Sequence, residues 1–215
     1  MNSSYKQSSK QMKVFLTTPR LTLRQLNLND LDNLFRLDSD PEVMRFINGG
    51  IASTREALSQ EFLPYVMSYY DKSENIGFWA IVEKQTQDFI GWIFLRPEVD
   101  FKLLQQLNLA EEDAVELGYR IRQQSWNKGY TTEVAKVLID RSFGKTEINQ
   151  INAWALIENK SSTRVMEKAG LKRKREYFIT ADMLEDDSYL ENPLVQNLCD
   201  RTLVKYRVDK ETYRS

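Results

Sequence analysis

Histidine is absent from the 215-residue chain, and cysteine occurs once, as Cys199. The first absence excludes Ser–His–Asp and Cys–His nucleophilic mechanisms, histidine general bases and zinc sites built on imidazole. The second excludes an internal disulfide and a cysteine-only zinc site, and it suits a reducing compartment. No metal is therefore expected. Without a histidine or a local motif to activate it, Cys199 is not expected to carry an acyl group. Chemistry in such a chain has to run on carboxylates, hydroxyls, Lys or Tyr, main-chain amides and a bound cofactor.

Long apolar runs are also missing, so no membrane span is expected. The N-terminal stretch 1–13 lacks the apolar segment of a signal peptide and reads as a short polar tail. Residues 14–215 read as one domain, and the expected location is cytoplasmic. Charge of one sign is not in excess: 30 basic against 31 acidic residues leave a net charge of −1. That balance speaks against a general nucleic-acid or anionic-membrane binder, whose affinity rests on a large positive field. Only 8 Gly and 5 Pro accompany 41% apolar residues, enough to build a real core.

What is present alternates between strand and helix patterns. Residues 21–26 alternate apolar and polar side chains, as a half-buried strand does. Asn29 or Asp30 can cap a helix carrying Leu31, Leu34, Phe35 and Leu37, which stops before Asp40-Pro41. Ser53-Thr54-Arg55-Glu56 resembles a capping box opening a second helix, with a break or kink expected at Pro64. Segments 78–82 and 89–95 read as a hairpin, and 98–114 as an insertion with a short amphipathic piece. Further strands are expected at 115–122, 151–157, 173–179 and 202–208. Helices are expected from Thr131 or Thr132 to Phe143 and from Ser161 to Ala169. Mixed connections of this kind imply an α/β fold with one mixed, mostly antiparallel sheet of six or seven strands.

The segment Gln123-Gln124-Ser125-Trp126-Asn127-Lys128-Gly129-Tyr130-Thr131-Thr132-Glu133 lies between a strand and a helix. A helix start offers about four backbone N–H groups without intrahelical partners, at the positive end of the macrodipole. Gly129 lets the backbone approach a bulky anion closely. Strand, polar turn and helix N-terminus together suit a pyrophosphate. Taken alone they also suit an ordinary strand-to-helix turn.

A second segment, Asn159-Lys160-Ser161-Ser162-Thr163-Arg164-Val165-Met166-Glu167-Lys168-Ala169-Gly170-Leu171, adds specificity. With Trp126 to Thr131 it resembles the GCN5-related N-acetyltransferase superfamily, in the branch that acetylates N-termini of ribosomal proteins. The branch pattern Asn-x-x-Ser, then Glu-Lys-x-Gly, falls on Asn159, Ser162, Glu167, Lys168 and Gly170. Residues 18–24 look like the branch's first strand, Ser39 to Met44 like the end of its first helix, 89–93 like its third strand and 116–120 like its fourth. Four positions depart from the pattern. Thr131 replaces Gly or Ala, Asn127 replaces a common Gly, and Leu171 replaces Phe. Met166 stands where many members carry the tyrosine proposed to protonate the leaving thiolate. Asn127 is tolerable there because Asn accepts positive φ better than most residues.

The resemblance implies a sheet splayed between its fourth and fifth strands, with acetyl-coenzyme A in the gap as co-substrate. Main-chain groups of Ile121 and Arg122 would meet the pantetheine and acetyl carbonyl. The turn Trp126, Asn127, Lys128, Gly129, Tyr130 and Thr131 would hold the pyrophosphate. Asn159 would bond the pantetheine, and Ser162 would lie near the sulfur. Read as bare sequence, Asn159 is a helix cap and Ser162 a first-turn hydroxyl.

The implied reaction is direct attack of a neutral primary amine on a thioester, in a ternary complex. An amine with a pKa above ~7.7 is mostly protonated at neutral pH, so a proton has to be removed. Glu116, in mid-strand with Gly118 and Arg120 on its face, is the first candidate base; the alternative is an ion pair with Arg120, Arg24 or Arg96. Ser162 is the candidate donor to the thiolate, with water as competitor.

The acceptor is left open between a protein N-terminal α-amine and a small-molecule amine such as a polyamine or aminoglycoside. A non-catalytic acyl-CoA sensor is the reading from another class. The basic run Lys172 to Arg175 reads as a solvated face or as a contact for the cofactor's 3′-phosphate or for RNA. The acidic stretch from Asp182 to Glu191 reads as a solvated loop or as an attractor of cationic acceptors. A homodimer is an expected assembly, with the final strand available for pairing between subunits.

Overall fold

A computed structural model describes residues 13–184 and 186–213; most of the polar stretch 1–13 and part of the acidic loop lie outside the described residues. Eight strands form one sheet: β1 (Val14–Thr17), β2 (Leu21–Gln25), β3 (Gly77–Glu83), β4 (Phe89–Pro97), β5 (Val115–Ile121), β6 (Gln150–Leu156), β7 (Lys172–Ile179) and β8 (Arg201–Asp209). Their order across the sheet is β1-β2-β3-β4-β5-β6-β8-β7. The strand beyond the expected six or seven is β1. Only four residues long, it carries too little alternation to be seen in sequence, and it exists by pairing with β2. The last strand, β8, is flanked on both sides by β6 and β7, so it has no free edge for another subunit; the edge belongs to β7.

Every pairing is antiparallel except that of β5 with β6, which is parallel and confined to Val115↔Ile151 and Glu116↔Asn152. Beyond Glu116 the two strands part. With β1 counted, this is the divergence expected between the fourth and fifth strands.

On one face of the sheet lie α1 (Leu31–Asp38), α2 (Pro41–Asn48), α3 (Arg55–Ala57) and α4 (Leu63–Ser68). Leu34, Leu37, Val43, Leu58, Leu63 and Val66 from these helices and the turn between α3 and α4 pack on Phe78, Ala80, Trp92 and Phe94. As expected, α1 stops before Asp40-Pro41, with Ser39 as its C-cap; the helix that follows, α2, was not expected, and Asp40 caps it by accepting from the Glu42 amide, with Pro41 in the first turn. The cap on the preceding helical turn is Asn27, which forms a capping box with Asp30. Where a break or kink was expected at Pro64, the helix departs from regular α winding: a π-type turn over Leu58–Phe62 joins α3 to α4 just ahead of the proline.

The short helix α5 (Lys102–Gln106) belongs to the expected insertion at 98–114. Charge fastens it to the sheet: the fully buried Glu98 accepts from Asn152 Nδ2 at 3.0 Å and Trp154 Nε1 at 2.5 Å. Glu111 meets Lys205 Nζ at 2.6 Å and Arg207 at 2.5 Å.

On the opposite face from α1–α4 lie α6 (Tyr130–Lys145) and α7 (Lys160–Lys168). Val134, Ala135, Leu138, Ile139 and Phe143 of α6 join Met166 of α7 over Leu117, Ile121, Ile151, Ala153 and Tyr206. β3 and β4 are thus covered on both sides, which explains why Phe78 to Val82 and Phe89 to Leu95 are buried almost without interruption. After the acidic loop comes the helix α8 (Pro193–Leu198), whose Val195 and Leu198 pack on Leu203 and Ile179.

Candidate active site

The fork between β5 and β6 positions everything else. In an antiparallel pair, successive residues turn their backbone groups alternately toward and away from the neighbour. The Arg122 amide donates to Ile90 O at 2.9 Å, so by alternation the amides of Leu117, Tyr119 and Ile121 face the fork. The Ile121 carbonyl is already taken, accepting from Trp126 Nε1 at 2.8 Å. Of the two main-chain positions expected to meet a pantetheine, Ile121 therefore offers its amide, whereas the Arg122 amide is committed to β4. The Arg122 side chain turns to Asn33 Oδ1, 2.8 Å away, and burial among neighbours including Arg36 lowers its pKa.

At the open end of the fork the turn runs into α6. Asn127 has φ +60° and Gly129 φ +76°, so the turn has two left-handed residues, one of them the Asn that tolerates this region best. The amides of Asn127 to Thr131 find no acceptor among the described residues, and residues 126–129 are exposed. A run of free amides at a helix N-terminus suits a pyrophosphate in charge and in hydrogen bonding.

Three residues distant in sequence, Arg20, Thr18 and Glu83, hold this turn. Arg20 donates through NH1 to Lys128 O at 2.9 Å and through Nε to Glu133 Oε2 at 2.7 Å, and its guanidinium lies 4.5 Å from the Tyr130 ring centre. Glu133 also accepts from Thr18 Oγ1 at 2.5 Å and from the Arg20 amide at 3.1 Å. Burial raises the Glu133 pKa, but Thr18 and Arg20 outweigh it and the carboxyl is held below its ordinary value. Tyr130 donates to Glu83, which anchors the turn to β3. Arg20 and Thr18 were read in the sequence only as part of a strand; the contact they make closes over more than a hundred residues and leaves no local pattern.

Asn159 caps α7. Its Oδ1 accepts from the Ser162 amide at 3.2 Å and from Ser161 Oγ at 2.9 Å. The capping role read from bare sequence is thus present, and it leaves the Nδ2 group to donate elsewhere. Ser162, in the first turn of α7, meets Tyr119 of β5: the phenol oxygen lies 3.0 Å from both Ser162 Oγ and Ser162 O. Met166 is 2% exposed and packs in the core, so the position of the family's tyrosine holds no proton donor here.

Glu116 lies on the other face of β5, at the point where the fork opens, and is 6% exposed. Of the three arginines considered for it, Arg96 is the partner: its Nε and NH2 lie 2.8 and 2.7 Å from Glu116 Oε2, with Arg96 itself over the Phe94 and Phe101 rings. Arg120 pairs instead with Asp38, and Arg24 with Asp30. Burial raises the Glu116 pKa, Arg96 opposes it, and Glu98 adds to the rise. Both arginine contacts fall on Oε2, which leaves Oε1 for another donor. Gly118 keeps the strand passable here, since a Cβ would lie 2.2 Å from the Phe94 ring.

The fork therefore has a run of free amides at its mouth, a hydroxyl and phenol on one face of β5 and a buried carboxylate on the other. Residues 20–172 match the family model of the acetyltransferase (GNAT) domain. The chain belongs to the GNAT acetyltransferases. Among curated relatives, an uncharacterized N-acetyltransferase p20 of Bacillus licheniformis is 29% identical over 166 residues, 75% of this chain and 86% of the relative. Among solved structures, a Vibrio cholerae spermidine N-acetyltransferase in complex with CoA and spermine aligns with TM-score 0.65 and 15% identity, over 92% of this chain and 100% of the other. A ribosomal L7/L12 alpha-N-protein acetyltransferase in complex with coenzyme A aligns with TM-score 0.67 and 10% identity, over 92% and 98%. At such identities the structural matches establish the GNAT fold and leave the acceptor open. Among the described residues no group of three His, Cys, Asp or Glu could hold a metal, and no helix is long and apolar enough to cross a membrane.

Proposed function

We propose that this GNAT protein transfers the acetyl group of acetyl-CoA to a primary amine, by direct attack while both substrates are bound. The observation that carries this is the run of unpartnered amides from Asn127 to Thr131 at the mouth of the β5–β6 fork. Those amides would hold the pyrophosphate, with Trp126 and Lys128 at its edge; the Ile121 amide and Asn159 Nδ2 would meet the pantetheine. Glu116, through Oε1 or an intervening water, would take a proton from the incoming amine. A carboxyl raised by burial is better matched to that task at neutral pH than an ordinary one. Ser162 would donate to the sulfur as it leaves. Thiolate is a fair leaving group, with a thiol pKa near ~8.5, so a strong acid is not required.

Polyamines and protein N-termini are the first acceptors to test, because the two structural neighbours that bind CoA are described as acting on them. The single cysteine fits a reducing setting, and the proposed location is the cytoplasm. The test is isothermal titration with acetyl-CoA, followed by thiol release against polyamines, aminoglycosides and N-terminal peptides. Micromolar binding with thiol release is the expected result. Binding without turnover would leave a non-catalytic acyl-CoA sensor, and no binding would overturn the assignment.

A further inference from the structure

The hydroxyl of Ser162 carries one hydrogen and can point it several ways, so something has to choose the direction. Tyr119 reaches Ser162 across 43 residues of sequence and spans the fork from β5 to the start of α7. Its phenol oxygen is 3.0 Å from Ser162 Oγ and 3.0 Å from Ser162 O, two acceptors for one phenolic hydrogen. When that hydrogen goes to Oγ, the serine lone pair on that side is filled and the serine hydrogen has to turn away. The Ser162 amide is already committed to Asn159 Oδ1, so the backbone of this turn is held while the hydroxyl rotates.

Resting on the acetyl-CoA reading, we propose that Tyr119 is a positioning residue that aims the Ser162 hydroxyl at the leaving sulfur. The amine nitrogen attacks the thioester carbonyl; the C–N bond forms and the C–S bond breaks with its electron pair going to sulfur. The amine's proton goes to Glu116 or water. The sulfur is held as thiolate by Ser162 Oγ–H and takes its own proton from solvent. Tyr119 keeps its hydrogen throughout: burial, only partly opposed by the Ser162 bond, holds the phenol above its usual pKa, and a thiolate of pKa near ~8.5 is too weak a base to remove it. Glu116 and the Tyr119–Ser162 pair thus stand on opposite faces of β5, because residues 116 and 119 are an odd number apart along a strand.

The test uses the full chain with CoA itself, reading the bound thiol by its ultraviolet thiolate absorbance against pH. In the wild type the thiol should titrate below its free value. Tyr119→Phe should raise the midpoint by roughly half to one pH unit, a three- to ten-fold loss of thiolate stabilisation. Ser162→Ala should raise it at least as far, and the double variant no further than Ser162→Ala. Fluorotyrosine at position 119, a stronger donor of the same shape, should lower the midpoint and guards against a Tyr119→Phe variant that folds poorly. A midpoint unmoved by both changes at Tyr119, or effects of Tyr119→Phe and Ser162→Ala that add, would overturn the role of Tyr119 while CoA still binds. Failure of the wild type to bind CoA would remove the acetyl-CoA reading and this role with it.

Discussion

Arg20 Nε lies 2.7 Å from Glu133 Oε2, joining two residues 113 positions apart at the mouth of the fork. The same guanidinium holds Lys128 O, so one side chain ties both the turn and the first turn of α6 to the start of β2. Without it, Glu133 stands as a poorly compensated negative charge in the first turn of the helix proposed to receive an anion. Arg20→Ala should therefore weaken acetyl-CoA about ten-fold, near 1.4 kcal/mol, with the circular dichroism spectrum retained. Isothermal titration checks it; an unaltered dissociation constant would show that the turn holds its shape unaided.

Asn159→Ala removes a helix cap and, in the proposed site, a donor to the pantetheine. Loss of the cap alone should lower stability by about 1 kcal/mol. Asn159→Ser restores a capping oxygen without the amide. Stability should return with Ser while the weakened affinity for acetyl-CoA persists. Thermal denaturation and titration of the two variants separate the roles, and parallel recovery of both quantities would reduce Asn159 to a cap.

Glu116→Gln keeps shape and removes the proposed base, with an expected fall in kcat of about 100-fold and little change in acetyl-CoA affinity. The wild-type carboxyl titrates above its ordinary 4.5, so its charged, proton-accepting form is lost as pH falls through that raised value. The acidic limb of kcat/KM should accordingly lie above pH 4.5 and vanish in Glu116→Gln. Equal turnover in the two proteins across the pH range would leave Glu116 as the structural partner of Arg96.

Glu111 supplies a prediction about stability alone. Burial raises its pKa, but hydrogen bonds from Lys205 and Gln150 and the charges of Lys205 and Arg207 bring it down to about 2 from 4.5. A carboxyl whose folded value is depressed adds stability that is complete above pH 4.5 and is lost as pH falls toward 2. The side chain is 41% exposed, so solvent screening limits the contribution to about 1 kcal/mol. Urea midpoints measured through this range should fall less steeply for Glu111→Gln than for wild type.

The missing histidine, the glycine and asparagine of the turn before α6 and the Asn-x-x-Ser stretch were legible because each is a local fact. Positive φ is tolerated by few residues, helix caps act within three positions, and apolar periodicity reports which face of α6 is buried. The sequence by itself therefore determined the fold class, the family and the helix start proposed to receive the cofactor.

Which carboxylate meets which arginine was decided by cross-strand register. Arg96 of β4 lies directly opposite Glu116, whereas Arg120, four residues along β5 from Glu116, reaches α1. The pairing of Tyr119 with Ser162 and the clamp of Arg20 on Glu133 join residues distant in the chain, and no spacing in the sequence encodes the distance between them. Ion pairs and hydrogen bonds act over a few ångströms, so only the tertiary structure, by setting strand register and the fork between β5 and β6, decided which of the many charged and hydroxyl-bearing residues would touch.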